Sequence, residues 1–164
     1  MGILDPVRNR SGHGGLIGGL ARLVLRFLQF IFAITVAGLY GVDLARAHKD
    51  GAGSDSHWVY AEVVAGLSAV TCLVYGLLFF LPSEILFGWD WLLFILWTAL
   101  FGLFGDIYIR AHPTPEQHGQ WRMKHAVWID LVNMLLWLIT ALYATFIFFR
   151  SRSNRTLHTG RAKV

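Results

Sequence analysis

The chain carries one cysteine, Cys72, among 164 residues. A single thiol makes no intrachain disulfide, no CxxC redox pair and no cysteine-based zinc site. Disulfide-forming membrane enzymes are thereby excluded, as are four-span families whose outer loops are pinned by disulfides. Charge is also scarce. Charged residues are 15% of the chain against 55% hydrophobic ones, and mean hydropathy is +0.53. A soluble domain of this size would cover its core with charge. Here the charges sit in short islands between long apolar runs, as in a membrane protein. No apolar run has a histidine near its middle, which excludes haem ligated between spans. No basic surface of useful length lies outside the tails, so the net charge of +4 points to anionic lipid headgroups and not to nucleic acid.

What is present is four apolar runs. They predict spans at about Arg22–Asp43, Trp58–Leu81, Trp89–Ile109 and His125–Phe149, each having the ~20 residues that cross about 30 Å of hydrocarbon. The expected fold is all-α, an integral membrane four-helix bundle, with an N-terminal tail over 1–21, a membrane domain over 22–149 and a basic C-terminal tail over 150–164. Pro82 stops span two, and Asp90 suits the positive N-terminus of span three. Trp58, Tyr60, Trp89, Trp91, Tyr108, Trp121 and Trp128 fall near span ends, where interfacial aromatic belts form.

Lys and Arg set the orientation. The tails and adjoining span ends carry nine (Arg8, Arg10, Arg22, Arg26, Arg150, Arg152, Arg155, Arg161, Lys163) against five on the other side (Arg46, Lys49, Arg110, Arg122, Lys124). Both termini are therefore expected in the cytoplasm. The sequons at Asn9 and Asn154 would then go unused. Met1-Gly2 opens like a myristoylation site, but Pro6 breaks the motif. Span one is too long for a cleaved signal peptide and is read as retained.

Small residues at spacing four form stripes that permit close helix packing. Ala33, Ala37 and Gly41 make one in span one, and Ala61, Ala65 and Ala69 one in span two. Internal packing is the expectation; a homo-oligomer interface is the alternative use. Each span also carries an acid towards one end: Asp43, Glu62, Asp106 and Asp130. Intramembrane charges are costly and default to a functional hypothesis. Asp43 has Arg46 at i+3 and Asp106 has Arg110 at i+4, local pairs that suffice. Glu62 and Asp130 have no such neighbour. Glu62 is expected to bond across to span four near Lys124, His125 or Asp130, with Asn133 as a helix–helix hydrogen bonder. Together they would form an intramembrane polar clamp, or alternatively a proton or cation site. The other half of the bundle shows no polar continuation except Gln29. His48, His57, His112, His118 and His125 share one side without recognisable ligand spacing. No catalytic, cofactor or metal site is expected.

The C-tail Arg150, Arg152 and Arg155 form a juxtamembrane cluster, each charge contributing about 1 kcal/mol against an anionic inner leaflet. Ser153 stands in a basophilic-kinase-like context, where a phosphate would oppose that contact.

The segments RFLQFIFAITVAGLYG, WVYAEVVAGLSAVTCLVY, DWLLFILWTALFGLFG and MKHAVWIDLVNMLLW, in this order, give the chain a resemblance to fungal MARVEL-type (membrane-associating) proteins over roughly 22–150. The resemblance implies a four-helix bundle with cytoplasmic tails, in the plasma membrane or endomembrane vesicles. It also implies roles in membrane apposition, vesicle trafficking and lateral domain organisation, and supplies no catalytic residues. A non-enzymatic organiser is the leading functional expectation. A small transporter or channel subunit using Glu62 and Asp130 is the alternative.

Overall fold

The computed structural model describes residues 13–49, 51, 56–77, 87–110 and 118–159. They form four helices, α1 His13–Lys49, α2 Ser56–Leu77, α3 Phe87–Tyr108 and α4 His118–Thr159. All four are long and apolar enough to cross a membrane, and the chain is a multi-pass membrane protein. With 22 residues each, α2 and α3 are about 33 Å long, close to the ~30 Å of hydrocarbon. The other two have 37 and 42 residues. They exceed the expected spans, and α4 runs on through the first ten residues of the expected C-tail. Pro82, His112, the N-tail arginines, Arg161 and Lys163 lie outside the described residues, as do the side chains of Arg152, Ser153 and Arg155.

Each helix buries one narrow stripe. In α1 it is Gln29, Ala33, Val36, Tyr40 and Asp43; in α3 it is Asp90, Leu93, Trp97, Leu100 and Phe104. Their alternating steps of three and four residues make the seam repeat expected of a left-handed bundle. Large exposed side chains are apolar on every helix, among them Phe27, Ile34, Val63, Ile95, Leu142 and Phe146. They form the lipid-facing surface. Cations in the last turn of α1 (Arg46, His48, Lys49) and Asp90 in the first turn of α3 suit the helix dipoles. The chain leaves α1 through Gly51, whose φ of +66° lies in the left-handed region that glycine adopts without strain. Its N–H bonds the His48 carbonyl at 3.3 Å.

The helices form a ring in chain order. α1 packs on α2 and α4, and α3 on α4; α2 and α4 stand diagonally. The small stripes face inward: Ala33, Ala61, Ala65 and Ala69 are buried, while Ala37 and Gly41 are half-buried. They serve the interior of the bundle, which is why α1 and α2 approach so closely. The α2–α3 seam is wider, because α3 fills it with indoles. Trp97 donates from Nε1 to Ser68 Oγ at 2.8 Å, and Trp89 to Thr71 Oγ1 at 3.1 Å. Trp97 is thus a core residue and not part of an interfacial belt.

Candidate functional site: the buried polar groups

Up-and-down order brings the starts of α1 and α3 level with the ends of α2 and α4. At this termini end, Arg26 of α1 meets Asp90 of α3 at 2.5 Å. Arg26 Nη1 also donates to Gln29 Oε1 at 3.1 Å, and Gln29 Nε2 donates to Thr140 Oγ1 of α4 at 3.2 Å. Thr140 donates in turn to the Trp137 carbonyl at 3.0 Å. The guanidinium lies between two aromatic faces, 4.4 Å from the Tyr75 centroid and 4.9 Å from that of Trp137. All four helices contribute to this cluster. Asp90 is 1% exposed and Gln29 fully buried. Arg26 is therefore a tie at the bundle centre as well as a topogenic charge, and Asp90 is its counter-ion as well as a helix-start acid. The expected lack of a polar continuation at this end is corrected by this cluster. Gln29 was the one legible sign of it, since an amide inside an apolar run needs a partner.

Polar contacts also join α1 and α4 at the other end. Tyr40 of α1 donates its hydroxyl to Asp130 Oδ2 of α4 at 2.7 Å, with both residues fully buried. Its ring lies 4.5 Å from Phe104 of α3, which stacks in turn on Tyr108. One step further out, Arg122 of α4 pairs with Asp43 of α1. This corrects the local pairing expected for Asp43, whose arginine is not Arg46 one turn along but Arg122 across the seam. Arg46 is exposed.

The proposed clamp residues do not gather in one place. Asp130 and Asn133 share the buried face of α4. Glu62 is half-buried at the α1–α2 seam, where a Cβ built on Gly41 would lie 3.1 Å from Glu62 Oε1. Glu62 thus lies beside α1 at Gly41. His125 is exposed, with Nδ1 2.7 Å from the Trp121 carbonyl and its ring 6.3 Å from that of Trp121. Lys124 is half-buried. Arg150 is exposed at the end of the apolar part of α4.

No family model matches the chain, and no curated protein or solved structure does so either. Among the described residues, no three His, Cys, Asp or Glu side chains come together as a metal site. The largest fully buried side chains, Trp97, Trp137, Tyr40, Phe104, Leu93 and Leu100, occupy the axis of the ring. Two shallow hollows lie at the far surface, one lined by Asp43, Trp58, Tyr108, Gln120 and Met123, the other by Gly41, Leu44, Ala45, His48 and Val59. Such an interior ties helices together through polar bonds.

Proposed function

We propose that the protein is a non-enzymatic membrane organiser, acting through bundle shape, lipid contact and association with copies of itself. In this reading it supports lateral domains, membrane apposition or vesicle trafficking, in the manner of the MARVEL-type proteins it resembles. The observation that carries the reading is the division of the molecule into a filled interior and an apolar exterior. The acids Asp43 and Asp90 are held by arginines of other helices, while large apolar side chains are exposed on every helix. What this shape offers its surroundings is a surface for lipid and for other spans. The tails lie on the cytoplasmic side in this proposal, with Arg150, Arg152 and Arg155 against the anionic inner leaflet. What supports it over transport through a joint Glu62–Asp130 site is that the two carboxyls have different surroundings, Glu62 beside Gly41 at the α1–α2 seam and Asp130 bonded to Tyr40.

Photobleaching recovery of the fluorescently tagged protein in its own cell is the test. Expected are slow-recovering patches. Substitutions at Ala33 or Ala37 would damage the bundle itself, so the variants belong on the outer face. Gly38, Gly66 and Gly102 have open space where a Cβ would be, and leucine there leaves the fold intact while obstructing close approach between copies. A uniform, freely mobile wild-type signal would refute the organiser reading.

A further inference from the structure

Among the described residues three acids are buried, and they are treated differently. Asp43 has Arg122 and Asp90 has Arg26. Asp130, fully buried on α4, has only the Tyr40 hydroxyl among the described residues, and its Oδ1 has no hydrogen-bond partner. One turn along the same buried face, both polar atoms of the fully buried Asn133 carboxamide are also unpartnered, and a further turn on so is Trp137 Nε1. The groups facing this stretch from the packed helices bring no spare positive charge. α1 presents Tyr40 and Asp43, the latter held by Arg122; α3 presents Tyr108, stacked beyond Phe104. α2 is diagonal, and its Glu62 is turned to Gly41 of α1.

An ionised carboxylate with one neutral donor and no cation is the least favourable state such a site can have inside a bilayer. We propose that Asp130, with Tyr40 and Asn133, forms a buried proton-binding site in which the carboxyl is held as the neutral acid. The proton sits on Oδ1. Tyr40 donates to Oδ2, and the new O–H has the Asn133 carboxamide oxygen, one turn along α4, as its acceptor. Binding consumes one proton from the far face and neutralises one negative charge, with no other bond changed.

The structure also limits what the site does. From Asn133 the polar stripe continues past Trp137 to Thr140, and thence through Gln29 to Arg26. There it ends on the Arg26–Asp90 ion pair, whose guanidinium has donors only and offers a proton no acceptor to step onto. In this proposal the site is a closed end and not a path through the bundle.

Infrared difference spectroscopy of the full-length protein in lipid nanodiscs, wild type minus Asp130→Asn, tests this. Expected at neutral pH is the carbonyl stretch of a protonated, buried carboxyl, lost completely in D130N. D130N itself should fold as the wild type, because a carboxamide replaces a neutral acid with nearly the same shape. A difference spectrum containing only carboxylate bands would overturn the proposal. So would stabilisation of the wild type, but not D130N, by added sodium or potassium at fixed pH, since a metal cation would then be the ligand. Should D130N fail to fold, Tyr40→Phe decides: loss of its hydrogen bond should move the acid carbonyl band to higher frequency, and an unmoved band overturns the site. In proteoliposomes with an internal pH dye, an acid jump should discharge no faster than in empty liposomes. Sustained proton flux abolished by D130N would overturn the closed end.

Discussion

Replacing Arg26 by methionine is the sharpest test of how the bundle is held together. The substitution keeps an unbranched apolar stem and removes the guanidinium. Asp90, 1% exposed, then loses its ion pair at 2.5 Å, and Gln29 loses the donor at 3.1 Å. Breaking one side of a buried pair destabilises by about 3–5 kcal/mol, because the remaining charge is uncompensated. The contacts with Tyr75 and Trp137 add up to about 2 kcal/mol if fully desolvated. Protonation of the stranded Asp90 would relieve part of the penalty, so the lower figure is the safer expectation. At 1.36 kcal/mol per decade, 3 kcal/mol is roughly a 150-fold shift in the folding equilibrium. The double change Arg26→Met with Asp90→Leu removes both charges and should recover most of that loss, since apolar replacement of a whole buried pair is often neutral. The assay is reversible unfolding in mixed micelles titrated with a denaturing detergent, run as a double-mutant cycle. A single R26M effect below about 0.5 kcal/mol, or a double variant no more stable than R26M, would refute the assignment of Arg26 as a bundle tie.

Two further outcomes follow from the seams. Ser68→Ala removes the acceptor of the buried Trp97 indole N–H at 2.8 Å and should destabilise by about 0.6–1.7 kcal/mol, the range for hydrogen bonds between membrane helices; the same unfolding titration reads it, and an unchanged midpoint would count against the indole tie. Gly41→Leu places a branched side chain where even a Cβ is 3.1 Å from Glu62 Oε1, and should lower the thermal midpoint in size-exclusion assays. Gly41→Ala, opposed only by the end of a flexible side chain, should cost less than about 1 kcal/mol, and equal losses for the two would refute steric control at that seam.

The helices were legible because an apolar run of bilayer length states its own position. Within them the inward residues were partly legible. Steps of four through Ala33, Ala37 and Gly41 or Ala61, Ala65 and Ala69 mark small faces; Ala33, Ala61, Ala65 and Ala69 are buried, and Ala37 and Gly41 half-buried. The pairings were not legible. Asp43 has an arginine three residues away, and local reasoning stops there, yet its partner is 79 residues distant. Arg26 and Asp90, 64 residues apart, each had a sufficient separate account as a topogenic charge and a helix-start acid. Tyr40 carried no signal, since one tyrosine in an apolar run reads equally as packing. Trp97 and Trp137 sit mid-span, where their burial depends on which neighbour lies opposite.

From the sequence alone come the solvent of this protein, the number and placement of its spans, and the rarity of intramembrane charge. These depend on the free energy of moving one segment from water into hydrocarbon, a property of that segment by itself. Only the tertiary structure decides that α1 lies between α2 and α4, that Glu62 stands beside Gly41 while Asp130 bonds Tyr40, and that of the three acids buried among the described residues two meet arginine while Asp130 meets a phenol. Those facts depend on ring order and on the rotation of each helix about its axis. Both are set by packing between segments distant in the chain, where transfer free energies are nearly equal and shape and hydrogen bonding choose among the arrangements.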